Sequence, residues 1–249
     1  MATKFKNGIE SNGEVRLPYR IINANRTLDA SDYTIECNGD YILTSASANS
    51  TTFTFTTTVA NPLVVGSIVA ISNYSNATFG NGTYTVLTKP TNSEFTVRAT
   101  TNAYLYSYTN ITGAVHCPIT VTLPTAVGNI GRIYNIKNTG LSAFVTLAGA
   151  SFTTTATATS GAGQTVLSVA SATGITVGSS VTGTGITYPS IVTAVNGSSI
   201  TIDQPTTSSW ISGGSVTFQQ EIDGYPTHII EANYHTATVQ SNGSKWMLI

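Results

Sequence analysis

Between Cys117 and Leu147 the chain reads CPITVTLPTAVGNIGRIYNIKNTGLSAFVTL. Ile119, Val121 and Leu123 alternate with Thr120 and Thr122, so the aliphatic side chains fall on one face of an extended strand and the hydroxyls on the other. Pro124 removes a backbone donor and ends the run, and Ile133, Ile136 and Val145 begin two further runs on either side of Asn138-Thr139-Gly140. The pattern predicts a β-meander. The same period of two runs through Val15, Leu17 and Tyr19, where Pro18 lacks a ladder donor and predicts a strand at a sheet edge or against another subunit. It returns in residues 33–37 and 41–44, whose link, Asn38-Gly39, is a strong hairpin signal. No window keeps apolar residues at i, i+3 and i+4, so the expected fold class is all-β.

Two stretches break the pattern. Residues 45–113 carry Lys89, Glu94 and Arg98 as their only charges and predict strands near 52–59, 67–72, 83–88 and 93–98, followed by a return through Tyr104, Tyr106 and Tyr108. Residues 151–218 carry Asp203 alone and repeat the first stretch in outline. Val65-Gly66-Ser67-Ile68-Val69 matches Val177-Gly178-Ser179-Ser180-Val181, Tyr84–Thr88 matches Ile191–Val195, and Asn92–Val97 matches Asn196–Ile202 with one residue added. Two copies of one plan predict two small β domains grafted into loops of a discontinuous host module, a β-sandwich or jelly-roll-like unit built from 1–44, 114–150 and 219–249, with residues 1–26 as an N-terminal arm.

Composition sharpens this picture. Charged residues make up 8% of the 249, against roughly a quarter in an ordinary soluble domain, so Thr, Ser and Asn supply the polar surface. A net charge of −1 argues against nucleic acid as a partner, which needs a basic face. Lys4, Lys6, Arg16, Arg20 and Arg26 are half of the ten basic residues and all precede Thr27, which suits an arm docking on an acidic surface of another protein. Residues 1–13 contain no apolar core of a signal sequence, and no run approaches a membrane span, so synthesis in the cytosol without membrane contact is expected. Cys37 and Cys117 are then expected as reduced, buried thiols.

Candidate chemistry is thin. Glu221, Asp223 and Glu231 form the one cluster resembling a glycosidase carboxylate pair, but solvated acids on turns account for them. His116 and Cys117 with Cys37 and His228 or His235 would supply four zinc ligands, yet no CxxC or HxxxH spacing is present, and no cofactor or metal is expected. Neither a GxSxG elbow nor a GxxxxGK[ST] loop occurs, so a nonenzymatic protein is expected. Tyr74, Phe79, Tyr104, Tyr106 and Tyr108 are candidates either for stacking on a sugar or for packing between subunits. Trp246, Leu248 and Ile249 read as core or subunit-interface residues.

TLPTAVGNIGRIYNIKNTG, taken with TLDASDYTIECNGDY (27–41) and the closing TVQSNGSKWMLI (238–249), resembles a small β module of tailed-phage virion proteins, above all fibre and fibre-like proteins. In those relatives the three pieces lie nearly end to end, whereas here the two stretches separate them. The resemblance covers 1–44, 114–150 and 219–249, and implies a homotrimeric virion protein, a capsid decoration or short fibre subunit, assembled in the host cytoplasm. Its implied partners are copies of itself and other capsid or tail proteins. A tail-fibre role recognising host surface glycan is the alternative.

Overall fold

A computed structural model describes residues 17–49, 51–74, 81–98, 106–109, 111–141, 144–159, 161–209, 212–231 and 234–249. Among these residues the period-two runs form strands and no helix is present. The chain begins with β1 (Tyr19–Ile22), β2 (Arg26–Thr27) and β3 (Thr34–Cys37). A first barrel follows, made of β4 (Asp40–Ala48), β5 (Thr52–Thr57), β6 (Ile68–Ser72), β7 (Gly82–Thr88), β8 (Glu94–Arg98), β9 (Tyr106–Thr109) and β10 (Ala114–His116). The platform resumes with β11 (Ile119–Thr122), β12 (Ile133–Asn138) and β13 (Val145–Ala148). The second inserted unit holds β14 (Ser151–Thr155), β15 (Val166–Ser168), β16 (Ser180–Gly183), β17 (Val192–Asn196), β18 (Ser199–Ile202) and β19 (Ser215–Gln219), before β20 (Thr227–Ile230), β21 (Thr236–Ser241) and β22 (Trp246–Leu248) close the platform.

The platform is a two-sheet sandwich, with sheet orders β1-β3-β12-β21-β22 and β2-β11-β13-β20. Its interior collects the inward half of every alternating run: Ile35, Cys37, Tyr134, Ile136 and Val239 from one sheet meet Ile119, Val121, Val145 and Leu147 from the other. The connectivity corrects the expected meander. β11 and β13 pair parallel with each other, while β12 lies in the opposite sheet, parallel to β3 and antiparallel to β21. The chain therefore crosses from sheet to sheet through β1, β2, β3, β11, β12 and β13 as a flattened coil, and only then reverses into antiparallel β20 and β21. Asn38-Gly39 is likewise a corner, not a hairpin: β3 stays in the platform and β4 leaves for the barrel. Turn residues that end a strand look the same whether the next strand pairs alongside or crosses the sandwich.

The two inserted units share one design. In the first, strand order β10-β6-β7-β8-β5-β4 closes on itself because β10 also pairs with β4. In the second, β14-β19-β16 and β15-β18-β17 are joined by bridges Ser180↔Ile191 and Ala156↔Val169, which gives the ring β19-β16-β17-β18-β15-β14. Corresponding hydrogen bonds repeat. Gly66 N donates to Val86 O, and Val86 N to Ser67 O, both at 2.9 Å; Gly178 N to Val192 O and Val192 N to Ser179 O are also both 2.9 Å. Each ladder has an irregularity at the same place, between Val86 and Thr88 in one and between Val192 and Ala194 in the other.

Each barrel has its own core, centred on Phe55 stacked against Phe95 at 5.6 Å in the first and on Phe218, Val181 and Ile200 in the second. The first barrel is longer than the 45–113 read from sequence. Tyr41, Leu43, Val115 and Cys117 belong to its core, because β4 starts at Asp40 and its first residues pair with β10 across the closed ring. Cys37 stays in the platform core. The two thiols are free and buried in different cores.

Candidate functional site

The arm-proximal end of the platform is tied by one carboxylate. Asp32, with a fully buried side chain, accepts Arg20 Nε at 3.0 Å, Arg26 Nε at 3.2 Å and Arg26 Nη2 at 3.0 Å, and also the Asp29 N–H at 3.0 Å. Arg132 Nη2 reaches the carbonyls of Ala30 and Asp32 from the residue just before β12. Arg20 and Arg26, expected as docking cations, are therefore turned onto the protein's own loop. A buried carboxylate without such partners is costly, which is why the guanidiniums face it. Arg16, Lys4 and Lys6 lie outside the described residues.

The two outer edges of the larger platform sheet differ. At β22, Asp223 N donates to Trp246 O at 3.1 Å and the Asp223 carboxylate accepts Leu248 N at 3.0 Å, so the backbone there is occupied. At β1, Thr34 N donates to Pro18 O and Asn38 N to Ile22 O. In a parallel ladder alternate residues bond to the same neighbour, so Tyr19 and Ile21 aim their backbone groups away from β3. Their side chains are 58% and 59% exposed, and Leu17 is exposed beside them. Pro18 thus opens an edge strand, although its carbonyl, which accepts Thr34 N, sets its missing donor on the β3 side. Of the three C-terminal apolar residues, Trp246 is fully buried with Nε1 donating to Pro124 O at 2.9 Å. Leu248 packs against the platform core, and Ile249 is exposed.

Each barrel meets the platform through a polar key. For the second barrel this is Gln220, buried, whose Oε1 accepts Ala126 N at 2.8 Å while Nε2 donates to Thr125 Oγ1 and to Thr176 Oγ1 of the barrel. For the first it is Asp40, whose Oδ2 accepts Leu141 N at 3.1 Å from the β12–β13 corner and whose Oδ1 lies 2.6 Å from His116 Nδ1. His116 is buried, and its Nε2 lies 2.7 Å from Ser72 Oγ. The zinc reading had paired His116 with the cysteines; its ring is instead committed to Asp40 and Ser72. Only the barrel register brings positions 40, 72 and 116 together, so no spacing in the sequence signals it.

The remaining expected residues scatter. Tyr74 is a correction: it is buried in the first barrel's core, its ring edge-on to Phe55 at 5.9 Å, and so unavailable to a sugar. Tyr106 and Tyr108 lie on β9, the last strand of that barrel's sheet, with side chains outside the described residues, as are Phe79 and Tyr104 altogether. Asp223 is spent on β22. Glu221 is part-buried, and desolvation raises its carboxyl above the usual range. Glu231 sits with His228 and His235 around an open groove of about 360 Å³ beside β20; among the described residues no three potential ligands converge on a metal position. No protein-family model matches the chain, and no curated protein does either.

Proposed function

We propose that the chain is a structural subunit of a tailed-phage virion, a capsid decoration protein or short fibre that works by contact. One observation carries the reading: the same closed six-strand ring is inserted twice into a single two-sheet platform. That plan multiplies outward surface on one attachment unit, as display requires and as a pocket enzyme does not. The charge-poor barrel faces fit contact through hydroxyls and amides. Among the described residues the β1 edge is open, with exposed Leu17, Tyr19 and Ile21, which supports self-association, since an unprotected edge strand templates pairing with another chain. A homotrimer is the state implied by the fibre-like resemblance, and a repeated edge-to-flank contact closes such a ring.

The test is oligomeric state followed by location. Sedimentation of the full chain is expected to give a trimer that Ile21→Lys shifts toward monomer without loss of strand signal. Immunogold labelling is expected on intact particles. A stable wild-type monomer that does not copurify with particles would sink the proposal. The glycan-binding alternative loses Tyr74 and rests on Phe79, Tyr104, Tyr106 and Tyr108, of which Tyr106 and Tyr108 lie on β9, the last strand of the described sheet. It predicts glycan-array binding that disappears when both become Ala.

A further inference from the structure

Asp40, His116 and Ser72 lie on the outer face of the first barrel, on three adjacent strands. Asp40 stands opposite His116 across β4 and β10, and His116 opposite Ala70 across β10 and β6, with Ser72 two residues farther along β6. The order of atoms is specific. Asp40 Oδ1 faces Nδ1 at 2.6 Å and Ser72 Oγ faces Nε2 at 2.7 Å. In the neutral ring, a carboxylate on Nδ1 keeps the proton on that nitrogen and leaves the Nε2 lone pair directed at the hydroxyl. The imidazole is sealed from solvent, the Asp40 carboxylate is largely covered and anchored by Leu141 N, and Ser72 is only half-buried. A base held inside and a hydroxyl at the surface is the arrangement nucleophilic activation needs.

The second barrel supplies an internal control. Aligning the two rings on their shared corners places Thr153 and Thr217 where Asp40 and His116 stand, as directly opposed residues on the first and last strands. Their hydroxyls meet at 3.0 Å. A neutral pair therefore suffices to close the ring itself, although in the first copy Asp40 also ties the barrel to the platform through Leu141 N.

We propose that Ser72 is an activated nucleophile that takes a short acyl group from an ester, with His116 as its base and Asp40 as a positioning residue. Ser72 Oγ attacks the ester carbonyl carbon as its proton passes to His116 Nε2. The carbonyl–alkoxy bond then breaks, and the alcohol leaves with that proton. Water attacks the acyl-serine, giving its proton to Nε2; the carboxylic acid departs as Ser72 recovers its hydrogen. The β6 ladder ends at Ser72, and Asn73 follows in a left-handed conformation with φ of 53°. Among the described residues the strand neighbours on this face are small, Ala70 and Ala114, with exposed Ile42 beyond. Such a shallow site suits an acetyl-sized acyl group on an alcohol of any size. This activity goes beyond the structural role proposed above and does not rest on it.

The experiment uses the full chain, a fluorophosphonate probe located by peptide mass spectrometry, and p-nitrophenyl acetate hydrolysis. Labelling at Ser72 and ester turnover are expected in the wild type, with both lost in Ser72→Ala. The double variant Asp40→Thr with His116→Thr copies the second barrel's pair. It is expected to lower the unfolding midpoint, because the Asp40–Leu141 tie to the platform goes with it, and, read at a temperature where the variant is still folded, to cut the labelling rate at least a hundredfold. An unlabelled Ser72 in folded wild-type protein overturns the proposal, as does labelling or hydrolysis that persists in the double variant or in Ser72→Ala.

Discussion

At the scale of single residues, burial and hydrogen bonding decide which groups can react. Cys37 and Cys117 are both pushed up to about 12, chiefly by desolvation, with Glu36 adding to the effect at Cys37. The thiolate is the reactive form, so neither is expected to react with an aromatic disulfide reagent at pH 8 in the folded chain, whereas two thiols per chain are expected after denaturation. Rapid release of one equivalent from native protein would show that one core opens locally. Asp203 behaves in the opposite sense. Its carboxylate accepts Ile191 N at 2.7 Å and Ser190 Oγ at 3.2 Å, and the Ile191 bond holds it below the ordinary 3.8. A depressed folded value means its contribution is present above 3.8 and is lost as the pH falls through that lower value. Asp203→Asn is expected to weaken the second barrel by about 0.5 kcal/mol at pH 7, because solvent screens this exposed carboxylate. Denaturant titrations at several pH values should show the deficit vanish in acid.

At the scale of elements, the repeated corner is the most legible part of the fold. Val-Gly-Ser recurs because the chain must turn with positive φ: Gly66 and Gly178 both sit at 88°, and a β-carbon at either would meet nothing within 4 Å. Ala at each therefore pays only for the backbone, about 1–2 kcal/mol. Equal destabilisation is expected for Gly66→Ala and Gly178→Ala, read by hydrogen exchange of β6–β7 in one and β16–β17 in the other. Unequal losses would mean that the two corners are alike in sequence but not in load. Alternation likewise announced the platform strands, because Ile119, Val121, Ile136 and Val239 must all point inward. The pairing of those strands was not legible. Pro124, Asn38-Gly39 and Asn138-Thr139-Gly140 specify that the chain turns, not which sheet receives it, so a coil between two sheets read as a meander. The barrel boundary failed for a related reason. Tyr41 and Val115 alternate as platform residues would, and only ring closure between β4 and β10 assigns them to the barrel. Tyr74 turns inward unannounced because aromatic content says nothing about which way a side chain just past a strand end points.

At the scale of the whole molecule, three separate cores imply units that stand or fall by themselves. The second barrel leaves and rejoins the platform through paired strand ends, with Ser151 opposite Gln219, so its removal leaves a gap that a short Gly-containing turn spans. The junction itself is tight: Gln220 N donates to Ala150 O at 2.8 Å, and a β-carbon on Gly149 would come within 1.8 Å of Gln220 O. Gly149 and Gln220 therefore belong to the platform and must be kept. A chain in which 151–219 is replaced by such a turn is expected to fold, to keep Trp246 buried against Tyr134 as read by its fluorescence, and to retain the oligomeric state of the full chain, because β1 lies in the other platform sheet. The excised 151–219 segment is expected to unfold cooperatively as an isolated domain. If the shortened chain instead lost its native fluorescence while the full chain kept it, the platform would depend on its passenger, and the two rings would have to be seen as structural members of one body whose exposed faces are incidental to how it attaches.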